Sequence, residues 1–109
     1  MSKQKIVRQG DVLVVPCKEI PAGLATVQPE AGRLILARGE ATGHHHSIAF
    51  RQRVAMFRDD ASGGRLYVCA DEPVSLEHQE HTALTIAPGN YEVRIQRTVQ
   101  TGVARRVAD

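Results

Sequence analysis

Aromatic side chains are nearly missing from this chain of 109 residues, which has no Trp, two Phe and two Tyr. Its core must therefore be built from Val, Leu, Ile and Ala, and few rings remain for stacking nucleic-acid bases. Cysteine is equally scarce. Cys17 and Cys69 stand far apart with no C-x-x-C partner, which argues against a disulfide framework and against a cysteine-based zinc site; both are expected to be small buried apolar residues. Long hydrophobic runs are absent too. Near the start the longest is Val12-Leu13-Val14-Val15-Pro16-Cys17, too short for a membrane span or a signal-peptide core, so a reducing cytoplasm is the expected location. There is no G-x-x-x-x-G-K phosphate loop, no G-x-S-x-G elbow and no convincing Ser/His/Asp order.

What the chain does have is an ordinary hydrophobic content of 42% and a net charge of +2. Its length suits one domain, able to bury about 65% of the surface its unfolded form exposes. The positive charge comes from eleven Arg and only three Lys. Arginine offers a planar fork that fits carboxylates and phosphates, although most of the eleven are accounted for as ordinary surface residues.

The pattern along the chain is that of strands. Gly10-Asp11 followed by the Val/Leu run reads as turn then strand, which Pro16 ends or confines to a sheet edge. A short extended piece at Leu24 to Val27 lies between turns at 20–23 and 29–32. Further strands are predicted at Arg33 to Arg38, His44 to Phe50, Arg53 to Arg58 and Arg65 to Ala70, with a hairpin loop over 59–64. Periodicity leaves Val74 to Ala83 open between helical turn, strand and loop. Leu84-Thr85-Ile86 then meets Ala87-Pro88-Gly89-Asn90, which reads as a hairpin turn, and Tyr91 to Arg97 alternates with period two. The tail from Gln100 is open between a last strand and a loose end. About six to eight short strands without a helical stretch predict an all-β fold, a small barrel or sandwich.

All five histidines fall in His44-His45-His46 and His78-Gln79-Glu80-His81. On a strand, His44 and His46 share one face and His45 takes the other, so the pair makes an H-x-H pincer of two imidazoles. His78 and His81 are an odd step apart and need a helical turn or a bulge to meet. Glu80 adds an oxygen donor, or orients an imidazole from behind. The expected metal ligands are His44, His46, His78, Glu80 and His81, and the expected ion is a divalent transition metal, Zn, Fe, Mn or Ni. Exposed loop histidines and a solvated helix face would also account for these clusters, but two of them coinciding favours a metal. Glu40, four residues before His44, is the candidate general acid or base, with an ordinary loop carboxylate as the alternative.

Several motifs carry a resemblance. Arg8-Gln9-Gly10-Asp11-Val12-Leu13, Gly39-Glu40-Ala41-Thr42-Gly43-His44 with His46, His78-x-Glu80-His81, Pro88-Gly89-x-Tyr91-x-Val93 and Gln96-Arg97 resemble a set of small uncharacterised bacterial and phage-borne proteins over nearly the whole chain. More distantly, the chain is similar to the cupins, small β-barrels that bind a metal through an H-x-H pair, a Glu and a later His. It departs from them in having no acidic residue between His46 and Asp59, and Asn90-Tyr91 after Pro88-Gly89 where the last histidine would stand. The cupin likeness therefore implies an architecture and not a chemistry.

Three functions follow as expectations. The first is a metalloprotein, a hydrolase or oxygenase with an open coordination position for water or a small molecule. The second is a non-enzymatic module that binds protein or, less readily, nucleic acid through a basic face of Arg33, Arg38, Arg51, Arg53 and Arg105-Arg106. The third is a closed metal site that only staples the core. No membrane partner is expected, and exposed edge strands make a homodimer the prior.

Overall fold

The computed structural model describes residues 4–38, 43–100 and 103–106, the last eight of them (97–100 and 103–106) by their backbone alone. β-branched and aliphatic residues recur at every second position between turn-forming clusters, and the chain answers with strands. These are β1 (Val7–Gln9), β2 (Val12–Cys17), β3 (Ala25–Thr26), β4 (Arg33–Arg38), β5 (His45–Ala49) and β6 (Val54–Asp59). After a single 3-10 turn at Asp60–Ser62 come β7 (Arg65–Ala70), β8 (Val74–Glu77), β9 (Leu84–Ile86), β10 (Gly89–Ile95), β11 (Arg97–Gln100) and β12 (Val103–Arg106). No helix among the described residues is long and apolar enough to cross a membrane.

The strands form a sandwich of two antiparallel sheets rather than a closed barrel. One sheet has the order β1-β2-β10-β7-β6-β3, the other β4-β5-β8-β9, and β11 pairs with β12 in a separate ribbon. Register explains the core. Val14, Val93 and Leu66 lie in one row of the larger sheet, and Tyr91, Val68 and Met56 in the next. All face Leu34, Leu36, Ile48, Val74, Leu76 and Ile86 from the smaller sheet, and these close-packed aliphatics are almost all buried. Tyr91 is the one large ring at the centre, wholly buried, with its hydroxyl donating to the Ala87 carbonyl.

Most predicted strands match to within a residue or two, and the differences are instructive. Among the described residues there are twelve strands rather than about six to eight, because several are only two to four residues long. Val7–Gln9 completes a hairpin around Gly10-Asp11, and Pro16 sits inside β2 opposite Tyr91, past the stretch that β1 pairs with, so its missing N–H faces a sheet edge. Residues 87–90 are not a hairpin turn. β9 ends in the smaller sheet and β10 begins at the centre of the larger one, so Ala87-Pro88 crosses between sheets. The open segment 74–83 is strand to Glu77 and irregular from His78 to Ala83. Cys17 and Cys69 are partly rather than fully buried; they flank Asn90 across β2, β10 and β7, with a whole strand between them. Burial raises both thiol pKa values, which keeps them protonated and unreactive.

Candidate metal centre

β5 leaves the turn at Gly43 and runs antiparallel to β4 on one side and β8 on the other. Its alternation sends His46 inward with Ile48, and the β4 partner accommodates this with a bulge between Ile35 and Ala37, opposite Ser47 and His46. His46 is wholly buried. β8 pairs with β5 only through Ser47 and Ile48, then ends, and the chain turns at His78 directly beside His46. The irregular stretch solves the odd step between His78 and His81 without a helix, bringing their ring centroids to 4.7 Å.

Four imidazoles gather at this end of the sandwich. His46 and His78 have centroids 4.3 Å apart, His44 and His78 5.7 Å, and His46 and His81 5.8 Å with planes inclined by only 19°. His44, just before β5, and His46, within it, both have their rings against His78. His45 faces the other way, into a shallow recess of about 300 Å³ shared with Arg33, Ser47, Glu77, His78 and Gln79. Its backbone N–H donates to Gln79 Oε1, while its buried Nδ1 makes no hydrogen bond. Glu80 stays at the rim, half exposed, with Oε1 3.7 Å from His44 Nδ1. Glu40 falls in 39–42, outside the described residues.

The larger sheet supplies two further groups. Asp11, in the β1–β2 turn and wholly buried, has Oδ1 3.5 Å from His46 Nε2. Gln9, at an inward position of β1 and almost wholly buried, has Oε1 2.9 Å from His46 Nδ1, and its Nε2 donates to the carbonyls of Leu76 and Thr82, both at 2.9 Å. A third link is the hydrogen bond from Glu80 N–H to His78 Nδ1 at 3.0 Å. Among the described residues no three His, Cys, Asp or Glu side chains already stand in the arrangement that holds an ion. The centre is a gathering of donors and not a preformed coordination sphere.

A family model described as a domain of unknown function, DUF8820, matches residues 8–96. The chain belongs to this family. No curated protein and no solved structure matches it. The match takes in all five histidines together with Gln9 and Asp11, so the whole gathering belongs to the DUF8820 domain. A groove of about 710 Å³ between Leu36, the Gly63-Gly64 turn and β10 lies apart from this gathering and is lined by no histidine.

Sequence reasoning missed Gln9 and Asp11 as members of the DUF8820 centre. Gln9 carried a signal, since it shares the inward face of β1 with Val7, where an apolar residue is the rule. Asp11 carried none, because an aspartate after glycine is what an exposed hairpin turn also contains.

Proposed function

We propose that this protein binds one divalent transition-metal ion between the β1–β2 turn and the β5 and β8–β9 segments, through His44, His46, His81 and Asp11, with His78 packed against them. The observation that carries the reading is the separation of His46 Nε2 and Asp11 Oδ1, 3.5 Å between two wholly buried groups. That is beyond ordinary hydrogen-bond length, whereas two donors each about 2.1 Å from one ion at tetrahedral angles stand about 3.4 Å apart. Imidazoles sharing such an ion have ring centroids about 5 Å apart, and the rings of His46 and His81, two of the proposed ligands, have centroids 5.8 Å apart.

Neutral imidazoles with one carboxylate suit zinc in hydrolytic sites and iron or manganese in oxygenase sites, so these are the activities to assay. The basic-face alternative is weakened by Arg33 and Arg38, which are engaged by Glu77 and Glu30. The test is elemental analysis of untagged protein after reconstitution with Zn, Fe, Mn and Ni. The expected result is near one equivalent of one metal, lost in His44→Ala/His46→Ala and in His81→Ala and kept in His45→Ala. No metal in the wild-type protein under any of these conditions overturns the reading.

A further inference from the structure

The hydrogen bonds around His78 and His46 constrain where the proton of each neutral ring sits in this centre. A backbone N–H can only donate, so the bond from Glu80 N–H makes His78 Nδ1 the acceptor, and a neutral His78 then carries its proton on Nε2. Gln9 Nε2 faces two carbonyl oxygens, Leu76 and Thr82, which only accept, and this fixes the amide with Oε1 towards His46. That oxygen accepts in turn, so His46 Nδ1 carries a proton, and in the neutral ring Nε2 then holds the lone pair, on the side of Asp11. Adjacent imidazoles, 4.3 Å between centroids, are thereby held in opposite tautomers.

We propose that Gln9 is the positioning residue of the centre and that His46 and His78 have different tasks: His46 offers a lone pair to the metal, while His78 offers an N–H to a ligand that shares it. The inference rests on the metal-binding reading for what the lone pair meets, but the tautomers themselves belong to the metal-free protein. A neutral His78 cannot accept from Glu80 at Nδ1 and give a lone pair at Nε2 at once, so it stands outside the ligand set. It is nearly buried beside His46 and His81, and its N–H selects a ligand with a hydrogen-bond-accepting oxygen, such as water, a carboxylate or a phosphate. Gln9 thus acts through His46, as a hydrogen-bonded partner commonly orients a metal-bound imidazole. It also ties β1 to the end of β8 and to the loop before β9, so the same side chain that selects the tautomer holds the two sheets at the separation the centre needs.

Long-range 1H–15N spectra of the metal-free protein, above the range where imidazoles titrate, read both tautomers directly. The expected result is a protonated Nδ1 in His46 and a protonated Nε2 in His78. Gln9→Glu retains an acceptor and is expected to preserve the His46 tautomer, while Gln9→Met abolishes it, although both lose bonds to Leu76 and Thr82 and both are less stable. Zinc titration then separates the two rings. His78→Gln, which keeps an amide N–H near the Nε2 position, is expected to hold zinc within about threefold of wild type, and Gln9→Met to weaken it about 10- to 100-fold. A His46 protonated on Nε2, a tautomer that survives in Gln9→Met, or zinc lost as fully in His78→Gln as in His46→Gln overturns the inference. If the wild-type protein takes up no zinc or other metal, the reading of function falls, while the spectra still decide the tautomers.

Discussion

Asp11 and Tyr91 are both wholly buried, yet they answer to different parts of the molecule. Asp11→Asn keeps the shape and removes the charge beside His46 Nε2, so zinc affinity, measured by competition with a chromophoric chelator, is expected to fall at least about tenfold while the fold persists. Tyr91→Phe removes the hydroxyl bond to the Ala87 carbonyl and is expected to cost about 1 kcal/mol in denaturant unfolding without touching zinc binding. Burial also raises the Tyr91 pKa above its ordinary value of 10.0. The folded state therefore holds this proton more tightly than the unfolded chain. The associated stability is complete below about pH 10 and is lost as pH rises through the folded pKa, so Tyr91→Phe is expected to show a flatter alkaline decline than the wild type. At this scale the histidines were legible in the sequence, because clustering and ligand spacing survive without a structure. Asp11 was not, since its meaning depends on a ring that lies thirty-odd positions away and meets it only across the sandwich.

The hairpin β1–β2 is the element on which the centre depends most. Gly10 has φ 57° at the first of two turn positions, where a tight hairpin of this kind requires glycine. Gly10→Ala is expected to cost about 1–2 kcal/mol through the left-handed backbone and also to weaken zinc binding, since Asp11 is the next residue. Gly63 is the control: its φ of 77° is as unfavourable for alanine and nothing crowds a Cβ there, so Gly63→Ala is expected to lower stability and leave zinc affinity unchanged. Elements were legible where local chemistry decides them, as with β4 and β7, which match the predicted strands residue for residue. They were misread at Ala87 to Asn90, where Pro-Gly-Asn is equally good chemistry for a hairpin and for a crossing between sheets. Which of the two forms depends on the strand that β10 pairs with, and β10 pairs with β2 and β7.

The molecule as a whole is two sheets clasped around an aliphatic core, with the histidines gathered where the β1–β2 turn meets the smaller sheet. A metal that binds only the folded state adds about 2.7 kcal/mol at a free concentration a hundred times its dissociation constant. Zinc is thus expected to raise the thermal midpoint of the wild-type protein by on the order of 10 °C and to leave that of His46→Ala unmoved. Leu76, wholly buried opposite the larger sheet, tests the core separately: Leu76→Ala is expected to lose about 2–5 kcal/mol. The sequence by itself determined the all-β class, the positions of most strands and the two histidine clusters, because alternation, turn chemistry and ligand spacing act over a few residues. Only the tertiary structure decided that the strands divide into two open sheets and that Gln9 and Asp11 join the histidines. Those outcomes depend on groups distant in sequence, which pairing across the sandwich brings within a few ångströms.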